Sequence, residues 1–210
     1  MINCHQPIEI ERGLVGKDEL SQLDSGSRYK ITDSGISPRW LPGQSGPTYN
    51  ANSDEHDVDG DSTEAADVTK SMVDKRLRKL DQLAQEIPDP ELYGTAEADI
   101  SFIGWGSVKT NIVDLMQLIN NGQNSFTANY LHYEYLWPFK TETLMQFIDK
   151  AKKVVIVENN ATAQLAGLIA KEAHVSISNK LLKYDGRPFF LEELVQFVEK
   201  ELGKKVIINK

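Results

Sequence analysis

From Ala98 to Leu202 the chain alternates two textures, and that alternation leaves few folds open. Short runs rich in β-branched and aromatic residues predict strands over Ala98–Gly104, Phe126–Leu131, Lys153–Val157 and Lys180–Tyr184. Between and after them, apolar residues recur every three or four positions, which predicts helices over Val108–Asn120, Thr141–Ala151, Ala161–Ala173 and Leu191–Leu202. Asn121-Gly122 supplies a left-handed stop for the first of these helices. Strands that alternate with helices join as right-handed βαβ units. The fold class is therefore α/β, with a small doubly wound parallel sheet.

In such a sheet, functional groups gather beyond the carboxyl ends of the strands, beside helix N-termini. Two polar stretches hold these positions. Gly104-Trp105-Gly106-Ser107 follows the first strand; its glycines permit tight turns, and Ser107 is placed to cap the next helix. As a nucleotide signal it is weak, because the third glycine of the dinucleotide fingerprint would fall at Lys109. Glu158-Asn159-Asn160 follows the third strand, and Thr162 and Gln164 extend the polar patch onto the next helix. A carboxylate at Glu158 gains roughly 0.3–1 kcal/mol from the positive helix end when exposed, so its removal is expected to cost the isolated fold little. Asn160 is placed to cap, accepting from an amide near Thr162 or Ala163. Polar groups at strand ends either satisfy loose backbone or face another domain or subunit. Gly104, Ser107, Glu158, Asn159, Asn160, Thr162 and Gln164 are the candidates for that second role.

The first part of the chain reads differently. Residues 1–60 lack periodicity and carry turn formers such as Asp33-Ser34-Gly35, Leu41-Pro42-Gly43 and Ser45-Gly46-Pro47. Ile8 and Ile10 alternate with Glu9 and Glu11, like the end of a strand. A helix follows within 61–94, capped by Asp61 or Ser62 and stopped by Pro88 and Pro90. Val73, Leu77, Leu80, Ala84 and Ile87 predict its apolar stripe, and Asp74–Arg78 an i,i+4 pair. Its basic run Lys75, Arg76, Arg78, Lys79 reads as a solvated face, with a docking patch as the alternative. Arg39, among turn residues, is a candidate grip for a substrate carboxylate or a coenzyme phosphate, or else one side of an interdomain salt bridge. Glu55-His56-Asp57-Val58-Asp59-Gly60 resembles the start of a calcium loop, but the twelfth position, which needs a bidentate Glu, is Ala66. His132 and His174 have no acidic or cysteine companion at ligand spacing and read as structural, so no metal site is expected.

A net charge of −8 argues against nucleic acid or an anionic membrane as the main partner. The single cysteine, Cys4, excludes an intramolecular disulfide and any all-cysteine zinc or iron–sulfur site within this chain. No apolar run reaches the length of a transmembrane helix, and residues 1–20 lack the apolar core of a signal peptide, so a cytoplasmic protein is expected.

The stretches ISFIGWGSVKTNIVDLM, YLHYEYLWPF, VVIVENNATAQLAGLI and LLKYDGRPFFLEELV occur in that order, after RYKITDSGISPRWLPG, DEHDVDGDSTE and MVDKRLRKL. Together, over about residues 8–202, they resemble the C-terminal part of the alpha subunit of 2-oxoacid:ferredoxin oxidoreductases, the 2-oxoglutarate type above all. The resemblance implies a part in oxidative decarboxylation of a 2-oxoacid to an acyl-CoA, with ferredoxin as electron acceptor. It implies thiamine diphosphate, Mg²⁺, CoA and iron–sulfur clusters in the full complex, none of them bound by this chain alone. Its partners would be a beta subunit and the rest of the alpha subunit. Residues 1–60 become the tail of a missing thiamine-pyrimidine domain, 61–94 a connecting helix, and 95–205 a domain similar to the transketolase C-terminal domain. On this view the chain is a fragment or a truncated reading frame. Glu55, His56 and Asp57 become candidates for a loop approaching the active site or a partner subunit, against the plainer reading of a solvated turn. Transketolases lack the GISPR segment, which sets them aside. Two departures stand out: Ala163 holds a position where the family carries glycine, and Gly106-Ser107-Val108-Lys109-Thr110 replaces its Gly-Ser-Thr-Lys-Gly. The alternative is a stand-alone interaction or regulatory module of the same fold without catalysis.

Overall fold

A computed structural model describes residues 13–44 and 47–208. The alternating Ile8–Glu11 stretch and Cys4 lie outside them. The chain forms two compact units, Met1–Gln85 and Glu86–Lys210.

The first unit is an irregular segment folded onto one helix. Apart from the helical turn α1 (Lys17–Leu20), one 3₁₀ turn and a His56–Ser62 bridge, the described residues between 13 and 60 run without regular structure. A chain of this kind leaves its carbonyls without ladder partners, and donors must come from elsewhere. The long helix α2 (Ala66–Glu86) supplies them. Lys75 is only 6% exposed, and its Nζ donates to the Tyr29 carbonyl at 2.6 Å. Arg78 donates to the Thr32 carbonyl at 3.2 Å, and Arg76 forks onto Glu55 at 3.0 and 2.5 Å. Burial, then the like charges of Lys79 and Arg28, push the Lys75 ammonium down to about 8.

These contacts correct the reading of the basic run as a solvated face: three of its four cations hold the loop. The apolar stripe is corrected with it. Val73 and Leu77 are exposed, while Met72 turns inward beside Lys75. The helix rotates to present cations to bare carbonyls, a demand that apolar periodicity does not report. Gly35 (φ +75°) shows how close the approach is, since a Cβ there would come within 2.3 Å of the Lys75 carbonyl oxygen. The helix begins at Ala66, so neither Asp61 nor Ser62 caps it; Asp61 instead accepts from the Asn50 amide at 2.9 Å. Asp74 pairs with Lys70 at 2.5 Å rather than with Arg78.

The second unit is the α/β domain. In chain order it runs β1 (Glu91–Tyr93), β2 (Ile100–Trp105), α3 (Lys109–Ile119), β3 (Ala128–Tyr133), α4 (Glu142–Lys150), β4 (Val154–Glu158), α5 (Gln164–Glu172), β5 (Lys180–Leu182) and α6 (Leu191–Leu202). The sheet order is β1-β3-β2-β4-β5; all neighbours pair in parallel except β1 with β3. Ile112, Leu115 and Ile119 of α3 and Leu194 and Val198 of α6 cover one face. Leu144 and Phe147 of α4 and Leu165 and Ile169 of α5 cover the other. The sheet is doubly wound and mostly parallel. The antiparallel strand β1 is an addition: three residues that follow Pro88 and Pro90 carry no readable period, and the strand forms because it pairs the free edge of β3.

His132, at the end of β3, is buried, and its Nδ1 lies 2.7 Å from the buried Tyr130 hydroxyl. Burial, then the Lys109 ammonium, holds its imidazole below the usual range despite Glu134 and Glu91. An unfolded chain therefore takes up a proton that the fold resists. This contribution to stability is complete above about pH 6.5 and is lost as pH falls below it toward the depressed value. Urea midpoints measured between about pH 5 and 8 should drop on the acid side. His132→Gln should flatten that drop; an unchanged slope in the variant would assign the pH dependence to other groups.

Candidate functional site at the switch point of the sheet

After β2 the chain goes to β3 on one side, then crosses to β4 and β5 on the other. The switch point lies between β2 and β4, where an open α/β sheet parts its loops and leaves a crevice. Both polar stretches predicted from the sequence meet there. Ser107 and Asn159 line two adjoining hollows. The smaller, about 190 Å³, is bounded by Trp105, Asn160 and Gln164. The larger, about 510 Å³, reaches Lys183, Tyr184 and Arg187.

The centre of this arrangement is Glu158. Its side chain is fully buried, at 0% exposure. Four N–H groups converge on its carboxylate: Trp105 Nε1 at 3.1 Å, Asn160 Nδ2 at 2.7 Å, and the backbone amides of Leu165 at 2.9 Å and Ala166 at 3.2 Å. The two amides belong to the first turn of α5, whose unpaired donors and positive end suit an anion. The expectation of an exposed, dispensable carboxylate is thus corrected. Being buried, Glu158 does not itself form a face for another subunit. It binds β4 to α5 and to the end of β2.

Asn160 completes the joint. Its Oδ1 accepts from Thr162 at 3.1 Å and from Gln164 at 3.3 Å. The turn it shapes delays α5 to Gln164, three residues beyond the predicted start, and puts Ala163 in the left-handed region at φ 53°. Such a conformation costs an alanine about 1 kcal/mol or somewhat more. Ala163 is buried, and its methyl returns about 0.8 kcal/mol, which nearly offsets the strain.

Gly104 is a packing glycine: a Cβ there would meet Val108 Cγ2 at 2.9 Å and the Val157 carbonyl at 3.0 Å. Ser107 caps nothing; it sits exposed inside the 3₁₀ turn Gly106–Val108 and faces the crevice. Asn159, Thr162 and Gln164 are exposed. In the first unit Arg39 is exposed and its carbonyl accepts from Val15 at 3.0 Å. Glu55 is held by Arg76, which with the hydrogen bond keeps its carboxyl below the usual range. His56 Nδ1 lies 2.8 Å from the Asp57 carbonyl, and its ring rests on Tyr29 with centroids 4.2 Å apart. Asp57 Oδ1 accepts from the amides of Asp59 and Asp61 at 2.9 and 3.1 Å, closing the turn on itself. Sequence reasoning missed Trp105, Lys183, Tyr184 and Arg187. Trp105 had a signal, since a part-buried indole N–H needs an acceptor. Lys183 had none, because its partner Glu193, at 2.5 and 2.7 Å, comes from α6.

No family model matches the chain. Among curated proteins it is 29% identical over 209 residues to the alpha subunit of 2-oxoacid:ferredoxin oxidoreductase 1 of Sulfurisphaera tokodaii, covering 96% of this chain and 32% of that one. It is 28% identical over 186 residues to the alpha subunit of oxidoreductase 2 of Aeropyrum pernix, covering 86% and 28%. Its fold matches 2-oxoglutarate:ferredoxin oxidoreductase from Magnetococcus marinus, solved with 2-oxoglutarate, coenzyme A and succinyl-CoA bound, with a TM-score of 0.74 and 26% identity over 92% of this chain and 32% of that one. The chain is related to 2-oxoacid:ferredoxin oxidoreductase alpha subunits. It spans about a third of the length of the alpha subunits it matches.

Among the described residues no group of three or more His, Cys, Asp or Glu could hold a metal ion. The α5 N-terminus, where a diphosphate would find amides, is filled by the chain's own carboxylate. Glu158→Ala leaves the four N–H groups of the joint without their acceptor, two of them buried backbone amides, and should cost on the order of 3 kcal/mol by urea denaturation. Glu158→Gln should cost about 1–2 kcal/mol, since one acceptor becomes a donor facing an amide. Equal and small losses for both would show that water replaces the carboxylate freely.

Proposed function

We propose that the chain is a non-catalytic portion of the alpha subunit of an enzyme that oxidatively decarboxylates a 2-oxoacid, with 2-oxoglutarate the first candidate, to an acyl-CoA, passing electrons to ferredoxin. The observation that carries the reading is the match along 96% of the chain to an alpha subunit, together with the fold match over 92%. The site chemistry supports a scaffold rather than a reaction centre. Glu158, the acidic group at the switch point, has its carboxylate taken up by four donors and offers no base. Thiamine diphosphate, Mg²⁺, CoA and clusters would then be held by the rest of the complex. Its partners are the beta subunit and the remainder of the alpha subunit, with ferredoxin reached through the complex and with neither nucleic acid nor membrane; the compartment is cytoplasmic. Ser107, Asn159, Thr162 and Gln164 line the edge turned toward those partners. Arg39 is the proposed grip for a substrate or coenzyme anion, on a loop whose neighbour Glu55–Asp57 is pre-shaped by Arg76. The reading of a stand-alone module keeps the same fold and the same joint but needs no oxidoreductase partner.

Affinity purification of the tagged chain from its native cells tests the choice. Other subunits of the oxidoreductase should co-purify, and the preparation should reduce ferredoxin in a 2-oxoacid- and CoA-dependent way. The chain alone should do neither that nor bind thiamine diphosphate in titration calorimetry. Tight binding of thiamine diphosphate by the chain alone would overturn the proposal, and purification without any oxidoreductase subunit would favour the stand-alone module. In the assembled enzyme Arg39→Ala should lower kcat/KM by roughly tenfold or more if it grips a reacting anion; an unchanged value would return it to a structural role.

A further inference from the structure

In the first unit Arg28 stands near the end of the 3₁₀ turn Ser25–Tyr29. Its guanidinium carbon lies 5.2 Å from the centroid of the Tyr29 ring and 5.2 Å from that of Tyr49. Both rings are themselves fixed. The Tyr29 hydroxyl donates to the Asn50 carbonyl at 2.9 Å, and His56 rests against its ring. Tyr49 meets the buried Trp40 edge-on, with centroids 5.3 Å apart. Cation–π attraction to two anchored rings restricts the guanidinium before any ligand arrives. Its donors, however, are unspent. Nε is buried without an acceptor, and among the described residues neither terminal nitrogen has one. Arg76, Arg78 and Arg187, by contrast, donate to Glu55, Thr32 and Asp185. A buried N–H left without an acceptor is rare and calls for one.

The charge beside Arg28 is positive, in a chain that carries −8 overall. The Lys75 ammonium donates to the carbonyl of Tyr29, the next residue, at 2.6 Å. Lys79 follows Lys75 by one helical turn and is exposed, and Arg78 Nε is a second buried guanidinium nitrogen without an acceptor. Among the described residues none of Arg28, Lys75, Arg78 and Lys79 is paired with a carboxylate. The acids of the surrounding loop are spent elsewhere. Asp24 accepts from the Ser27 hydroxyl at 2.6 Å, Glu55 holds Arg76, Asp57 closes its own turn, and Asp61 accepts from Asn50. Asp59 lies over Gly26, its Oδ1 2.9 Å from where a Cβ would stand, and makes no ion pair with Arg28. Mutual repulsion among these cations shows in Lys75, which Lys79 and Arg28 help push down after burial. An anion here would relieve that repulsion, and a dianion would relieve more of it than a single carboxylate.

We propose that the free edge of the Arg28 guanidinium binds a phosphoryl dianion, in the positive field of Lys75 and Lys79. The rings of Tyr29 and Tyr49 take up the guanidinium by its faces, so the ligand meets it in plane, with two oxygens on two N–H groups. Lys79 adds charge rather than shape. The site belongs to the first unit alone. It is separate from the Glu158 joint, and it stands whether or not the chain is part of an oxidoreductase.

Inorganic phosphate, glycerol 3-phosphate and succinate, titrated separately into the whole 210-residue chain at low salt, test the site by calorimetry and by NMR of the Arg28 Nε–H and the Lys75 side chain. Both phosphates should bind at one site, shift the Arg28 signal and raise the pH at which Lys75 loses its proton above about 8. Tighter binding of the ester would make a phosphate ester the source of the dianion, and equal or weaker binding the free ion; either result supports the site. Arg28→Lys keeps the charge but loses the fork, and should weaken binding roughly tenfold, with Lys79→Gln weakening it roughly threefold. Lys152→Gln, in the second unit, should change nothing. Succinate should bind roughly tenfold more weakly than phosphate or worse; equal affinity would overturn the assignment to a phosphoryl group. Binding that does not saturate, or that survives Arg28→Lys undiminished, would overturn the site. If the variants fail to fold, the unaltered chain decides: Arg28 and Lys75 signals that stay still as phosphate saturates would equally overturn it.

Discussion

One buried carboxylate ties the second unit together. Glu158 ends β4, and its oxygens receive a tryptophan indole from the end of β2, a side-chain amide from its own loop and two backbone amides from α5. Unpaired, an ion so deeply buried would cost several kcal/mol. Here each oxygen meets donors whose alternative is to be unpaired themselves, because the first amides of a helix have no partner within it. The ion and the helix end solve each other's problem. The geometry around them follows: the left-handed Ala163, the late start of α5 and the inward lean of Trp105 all bring donors to one point.

This joint decides what the switch-point crevice can be. In many doubly wound folds the amides at the start of a helix greet a ligand's phosphate. In this chain the ligand is built in. What remains to line the crevice is hydroxyl and amide side chains, the rings of Trp105 and Tyr184, and cations already paired with carboxylates. The same substitution of an internal group for an external one occurs in the first unit, where Lys75, Arg76 and Arg78 bind loop groups that a partner could otherwise claim.

The fold of residues 98–202 was legible because its strands and helices are amphipathic in the ordinary sense, and period and burial agree. Even there the boundaries slid where side chains intervened: β3 runs to Tyr133 rather than Leu131, since Tyr133 packs flat on Phe139 with centroids 4.7 Å apart. Strand β1 was illegible because three residues hold no period. Glu158 was located but misjudged. Sequence places it at a strand end near a helix start, and only the arrangement of four donors from three elements makes it buried rather than solvated. Lys75 failed in the same direction. A lysine inside a basic run looks solvated unless the distant carbonyl that accepts from it is known.

These two misjudged residues share a cause. In each, a charge that local pattern assigns to solvent turns inward to meet backbone groups left over by irregular or terminal structure.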